Sequence, residues 1–309
     1  MGALEVTPAD EGRHTPDSED LWGESWYLDF AGSDLSYGGY VRLGLYPNLG
    51  RSWLWVYLTG RERPLVALCD HALPCAAGDA LEIAGNGSRV EIDTREPLAR
   101  VHVAAGGTAA RFDDAAGVFH GDRGTPVAAA IELDWHSRGP AFPYEATTRY
   151  EQSAWVTGRV TIGDETLAVD CPGQRDHSWG VRDWWLFPWN WTAGYLEDGT
   201  FFHAACSMLP GANLFQEGYV MSPGGDQQRV SVVECEVTLD DEQLPVRAHQ
   251  RIGDLRFSSE PVGHAPVLLV ADDRRVSRFP RAMCRFTTDD GRTGTGWTEY
   301  NWPERTARA

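Results

Sequence analysis

From about residue 21 onward, apolar and polar residues alternate in short runs suited to strands, and nowhere do they recur at the spacing of an amphipathic helix. The stretch "GGYVRLGLYPNLGRSWLWVYLTG" holds two aromatic and β-branched runs split by the turn signal Pro47-Asn48-Leu49-Gly50. In "ALEIAGNGSRVEI", Asn86-Gly87 lies between two alternating segments, a strong hairpin signal. Similar turns recur at Gly163-Asp164, Asp198-Gly199 and Asp290-Gly291, and "SVVECEVTLDDEQLPVRA" continues the pattern. Many short strands separated in this way predict an all-β chain of antiparallel barrels or sandwiches. Their number exceeds one small barrel, so two consecutive β-domains are expected, over 21–150 and 151–309. A loose similarity between "ESWYLDF…GGYVRLGLYP" and "RDWWLFPWNWTAGYLEDGTFFHAACSMLP" fits duplication as well as shared β composition. Residues 1–20, "MGALEVTPADEGRHTPDSED", are charged and polar with Pro8 and Pro16, and are expected to be disordered.

Composition narrows the function classes. The net charge of −18 disfavours nucleic acid and anionic membrane surfaces as partners. All 27 basic residues are arginine, which excludes Schiff-base chemistry, a Walker-type lysine and a Ser-Lys dyad. No G-x-S-x-G elbow is present, and Gly294-Thr-Gly296 lacks the rest of a dinucleotide fingerprint. Cys69, Cys75, Cys171, Cys206, Cys235 and Cys284 form no C-x-x-C and read as free thiols of a reducing compartment. The N-terminus has no signal-peptide pattern, and no apolar run approaches the roughly 20 residues of a membrane span. A cytoplasmic protein without an integral membrane segment is expected. The nine histidines show no H-x-H or H-x-x-x-H spacing, so neither a metal nor a cofactor is expected.

The densest chemistry is "GQRDHSWGVRDWW", Gly173 to Trp185, and five of the thirteen tryptophans fall between Trp179 and Trp191. If this segment is extended, Arg175, His177 and Trp179 share one face and Asp176 and Ser178 the other. Gly173 and Gly180 let the chain bend at either end. Burial would raise a carboxyl pKa here, and a neighbouring arginine would lower it. A carboxylic acid kept protonated beside indoles can protonate an alkene, and the rings can hold the resulting cation. The other reading is a clamp: Arg175/Asp176 and Arg182/Asp183 as ion pairs pinning two domains, with His177 a satisfied hydrogen-bonder. Both readings stay open on the residues alone. Glu151, in "RYEQ", reads as an acid on an exposed face, and His203, in "TFFHAAC", as a core histidine.

Together with the preceding "YEQSAWVTGRVTIGDETLAVD" and the terminal "GTGWTEYNW", this stretch resembles the lipocalin-like superfamily. That group includes carotenoid hydratase (hydroxyneurosporene synthase), AttH-type proteins and related fungal pericyclases. The resemblance runs from about Trp22 to Trp302 and is most specific in its Asp-His-Ser-Trp core. It implies two calycin-type barrels and a cavity for a terpenoid, a polyene or another hydrophobic small molecule. By motif match it also marks Asp176, His177, Trp179 and Glu299. Two functions follow: a cofactor-independent acid–base enzyme (hydratase/lyase, isomerase or cyclase), or a carrier of a hydrophobic ligand. For the enzyme, Asp176 is the expected proton donor, with His177 orienting it or relaying a proton to water. Trp179 and Trp184 would form a cation-stabilising wall, and Trp185, Arg175 and Arg182 would complete the substrate site. Glu299 would be a second acid or the partner of an arginine.

Overall fold

The computed structural model describes residues 5–75 and 78–304, and the alternating runs form strands throughout. The first sheet begins with β1 Trp22–Ala31, β2 Gly38–Tyr46, β3 Arg51–Gly60 and β4 Arg63–Pro74. It continues with β5 Glu82–Gly85, β6 Ser88–Glu96, β7 Arg100–Phe112 and β8 Thr125–Ser137. It ends with β9 Phe142–Pro143, β10 Arg149–Ile162 and β11 Glu165–Val181. The second sheet contains β12 Trp189–Leu196, β13 Phe201–Ser207, β14 Gln216–Met221, β15 Gln227–Arg229, β16 Val233–Leu239 and β17 Pro245–Ile252. Then come β18 Leu255–His264, the flanking strands β19 Val267–Val270 and β20 Val276–Phe279, β21 Arg281–Thr288 and β22 Thr293–Pro303. Turn chemistry accounts for the hairpins. Asn86 (φ 51°) and Gly87 (φ 81°) adopt the left-handed pair that a two-residue β5–β6 turn requires.

The first sheet closes on itself. Its order β4-β3-β2-β1-β11-β10-β8-β7 returns to β4 through the pairs from Leu65↔Phe112 to Ala67↔Ala110. An eight-stranded barrel is just wide enough for side chains to fill it. Trp26, Leu28, Leu43, Leu54, Val103, Leu133 and Trp135 fill this one. The second sheet, ordered β15-β14-β13-β12-β22-β21-β18-β17-β16, stays open and packs against the outside of the barrel. Strand β1 is therefore buried along its whole length: Trp26, Leu28 and Phe30 face the barrel interior, while Tyr27 and Ala31 face the seam between the sheets. Tyr40 donates to Ala265 O (2.9 Å) and Trp297 donates to Phe30 O (3.0 Å), which ties the two sheets together.

Two expectations need correction. The join anticipated at residue 150 lies inside the first sheet, and the change of sheet comes after Val181. Without β10 and β11 the barrel would leave β1 and β8 as open edges, so closure draws both strands into the first half. The motif strand therefore belongs to the barrel. The segment anticipated as disordered over 1–20 is described from residue 5, with residues 1–4 outside the described residues. Pro8–Glu11 forms a 3₁₀ turn, and Glu11 is buried where it meets Arg175. One of the acids that argued for disorder, Glu11, thus has a buried partner. Among the described residues, no helix is long and apolar enough to cross a membrane.

Candidate active site

Strand β11 separates the barrel interior from the seam, and its alternation divides the motif between them. Two glycines shape it: Gly173 has no room for a Cβ against the β1 backbone, and Gly180 has φ 108°. On the barrel side, Arg175 forms a two-armed pair with Glu11 (2.6 and 2.9 Å) and donates to Gln152 Oε1 (2.6 Å). His177 places Nδ1 2.7 Å from Asp10 O and Nε2 3.0 Å from Glu24 Oε1. Trp179 stacks on His14 with ring centres 3.7 Å apart. The expected roles of His177 as the partner of Asp176, and of Trp179 as a wall facing it, are corrected by this alternation. The expected pairs between sequence neighbours do not form either. Arg182 donates to Thr147 Oγ1 and Thr148 O, while Asp183 pairs with Arg275 at 3.0 Å.

Asp176 faces the seam, in register with Tyr27 on β1 and Glu151 on β10. Arg149, two residues before Glu151 and so on the same face, reaches both acids: 2.7 Å to Asp176 and 2.6 Å to Glu151. Glu151 is 0% exposed, contrary to the exposed face anticipated for it, because the second sheet covers this side of β10. It also accepts from Gln174 Nε2 (2.7 Å), Trp191 Nε1 (3.1 Å) and Tyr144 OH (3.3 Å). His203 is buried as anticipated, its Nε2 2.8 Å from Tyr144 OH. Glu299 pairs with Arg281 at 2.5 Å, and that guanidinium lies over the rings of Tyr27 and Tyr40. Asp29 accepts from Tyr27 OH (2.9 Å) and from the Gln174 backbone (3.1 Å).

Burial dominates the electrostatics of this cluster. It pushes Asp176 up to about 7 against the pull of Arg149, and the charge on Glu151 adds to the rise. Burial likewise raises Asp29 to about 8 despite its hydrogen bond from Tyr27. Glu299 is raised by burial, with Arg281 opposing. Burial and then Arg149 bring Arg182 down to about 10. Glu151 is raised by burial too, but its donors Arg149, Trp191, Tyr144 and Gln174 favour the ionised form. Of the two, Asp176, which accepts from Arg149, is therefore the better place for a proton.

Nearby, Arg42 is sandwiched between Trp55 and Trp184, its carbon 4.7 and 5.2 Å from the ring centres, and donates to Tyr46 OH. Tyr46 and Trp184 also line a cleft of about 570 Å³ with Trp53, Trp185 and Arg275. A larger opening of about 670 Å³, lined by Arg138, Trp155, Tyr195 and Met221, includes none of the seam acids and no residue touching Arg42. The smaller cleft reaches Arg42 through Tyr46 and Trp184, and no seam acid lines it either. On the barrel side, His14, Glu24 and His177 bring three metal-capable atoms within 4.8 Å of one another, although their sequence spacing gave no sign of a site.

The family model described as "Domain of unknown function (DUF7064)" matches residues 7–304. No curated protein matches the chain. Among solved structures, the fold is shared with an AttH-type protein from Nitrosomonas europaea (TM-score 0.64, 14% identity, 96% of each chain covered). It is also shared with CghA, crystallised with Sch210972 (TM-score 0.58, 14% identity, 99% of this chain and 97% of that one). Kievitone hydratase from Nectria haematococca is a third (TM-score 0.58, 9% identity, 97% of this chain and 94% of that one). At these identities the likeness is one of fold, and it agrees with the AttH-type resemblance of the motif.

Proposed function

For a chain that belongs to the DUF7064 family and buries its acids between a barrel and an open sheet, we propose a cofactor-independent acid–base enzyme. It is of the hydratase/lyase, isomerase or cyclase type and acts on a hydrophobic terpenoid or polyene. The observation that carries this reading is Asp176, a buried acid near pKa 7 held by Arg149 in an aromatic seam. General acids work best with a pKa near the operating pH. Asp176 gives its proton to an alkene carbon, and the cation formed is held by the ring faces of Trp184 and its neighbours. The Asp176 carboxylate then takes a proton back, either from the water whose oxygen adds to the cation or from an adjacent carbon. Water addition gives a hydratase, and loss from carbon gives an isomerase or cyclase. The hydratase type is supported by the name of one structural neighbour, kievitone hydratase. A carrier needs only the aromatic walls, whereas several buried acids and arginines cost stability unless they are used.

The test is Asp176→Asn, nearly isosteric, assayed by deuterium uptake from heavy water into terpenoid and polyene alkenes. The acid role implies a loss of about 10²–10⁴-fold, with ligand affinity nearly unchanged. A folded variant that keeps wild-type uptake and turnover would remove Asp176 from this role. Recovery of an unaltered lipid after incubation of the wild type in water would favour the carrier.

A further inference from the structure

The barrel side of the motif strand holds chemistry that the proposed reaction does not use. Glu24 on β1 and His177 on β11 face the barrel end, where His14 of the N-terminal segment meets them. We infer that His14, Glu24 and His177 form a binding site for one divalent cation of the zinc class, which fastens the N-terminal segment to the barrel.

Hydrogen-bond inventory is the first support. Each imidazole shows both nitrogens to oxygen acceptors. His14 has Nδ1 2.7 Å from Glu24 Oε1 and Nε2 3.5 Å from Asp10 Oδ1. His177 has Nε2 3.0 Å from Glu24 Oε1 and Nδ1 2.7 Å from Asp10 O. Two neutral imidazoles carry only two N–H groups between them, so four acceptor-facing nitrogens leave two lone pairs aimed at oxygen. With the N–H groups on the Asp10 side, both lone pairs converge on the Glu24 carboxylate. One dication there satisfies both rings and balances the charges of Glu24 and Asp10. The competing arrangement is two imidazolium rings, in which two protons do the work of the cation.

Orientation is the second support. Histidine ligands of metals usually donate their other N–H to a carboxylate or backbone carbonyl, and Asp10 supplies both kinds of oxygen here. The donor set of two imidazoles and one carboxylate suits zinc and its first-row neighbours rather than calcium or magnesium. Bonds of about 2.1 Å in a tetrahedral site put ligand atoms about 3.4 Å apart. The present separations of 2.7 and 3.0 Å must therefore open by about 0.7 and 0.4 Å. His14 lies outside any strand and can yield, and its side chain is 23% exposed, which leaves room for a water as fourth ligand.

The full-length protein, stripped with chelator, is titrated with zinc sulfate by calorimetry at neutral pH. One zinc per chain is expected with Kd of about 10 μM or tighter, while magnesium chloride gives no heat. His14→Ala, at the partly exposed end of the site, is expected to weaken zinc by at least about tenfold without changing the circular dichroism spectrum. X-ray absorption on the zinc-loaded wild type reads the ligands directly, so the test does not depend on a variant folding: two imidazoles are expected. Absence of zinc binding at about 100 μM, or a first shell with fewer than two imidazoles, overturns the site and leaves the imidazolium pair. Zinc affinity unchanged in a folded His14→Ala overturns it as well.

Discussion

Two compartments meet along β1 and β11 and are filled in opposite ways. The barrel interior is aliphatic and indole from Leu43 to Leu133, with its charges confined to the end that Pro8–Glu11 covers. The seam outside the same strands buries Arg42, Arg281, Asp29, Glu151, Asp176 and Glu299 among aromatic rings. An eight-stranded barrel filled by Trp26, Leu43, Leu133 and Trp135 leaves its interior to packing, and the proposed chemistry lies on its outer wall. Charges removed from water cost more than apolar groups of similar volume. Those on the barrel side, Glu11, Glu24 and Arg175, sit at its covered end, whereas those of the seam lie among aromatic rings, which is why the proposed reaction is assigned to the seam.

The largest effect that separates the compartments is on stability. Trp135 is fully buried in the barrel and donates to Asp29 O at 2.8 Å. Trp135→Ala should cost about 3–5 kcal/mol in denaturant unfolding, whereas Asp176→Asn, which keeps the shape of a protonated acid, should cost far less at neutral pH or below. A loss below about 1 kcal/mol would mean that the barrel is not packed as described.

The next effect is on rate. The charge on Glu151 contributes to holding Asp176 up near 7. In Glu151→Gln that contribution disappears and Arg149 is left to Asp176 alone, so the acid's pKa falls. The alkaline limb of the pH–rate profile should move to lower pH, with roughly tenfold less turnover at pH 7 for each unit moved. A limb that stays in place would uncouple Glu151 from the acid, while the same substitution leaves the barrel interior untouched.

What the sequence revealed, and what it concealed, follows the same division. Alternation along Gln174 to Trp179 assigned Arg175, His177 and Trp179 to one face and Asp176 to the other, because a strand's period is a local property. The turns at Asn86-Gly87 and Gly163-Asp164 were legible for the same reason. The partners were not. Glu11 pairs with Arg175 across 164 positions, and Arg149 finds Asp176 only through the β10–β11 register. Glu151 looked solvent-facing because the sheet that covers it comes later in the chain. The spacing of Arg149 and Glu151, two apart in "RYEQ", puts both on one face, but Asp93 and Arg95 show the same spacing at solvent-accessible positions, so the pair alone gave no sign of burial. The join was misplaced because the β10–β11 hairpin has the same local pattern as those that follow it, and closure of a barrel is a long-range event.

The last effect, a shift of stability with pH, tests whether the seam's buried acids are protonated as described. Asp176 and Asp29 titrate near 3.8 when unfolded and at about 7 and about 8 when folded. Between those limits the folded chain keeps protons that the unfolded chain has shed. Stability from these two groups is therefore fully present below the unfolded value and is lost as pH rises through the folded ones. Asp29 is the cleaner probe, because its partners are Tyr27 OH and the Gln174 backbone N–H rather than the Arg149 guanidinium. In Asp29→Asn, the amide oxygen can still accept from Tyr27 OH and nothing remains to ionise. The melting temperature of the wild type should fall from pH 5 to pH 8.5, and that of the variant should fall less, the two differing most at the alkaline end. Parallel curves would show that Asp29 is ionised throughout, which would require more water in the seam than the packing of Tyr27, Tyr40 and Trp297 admits.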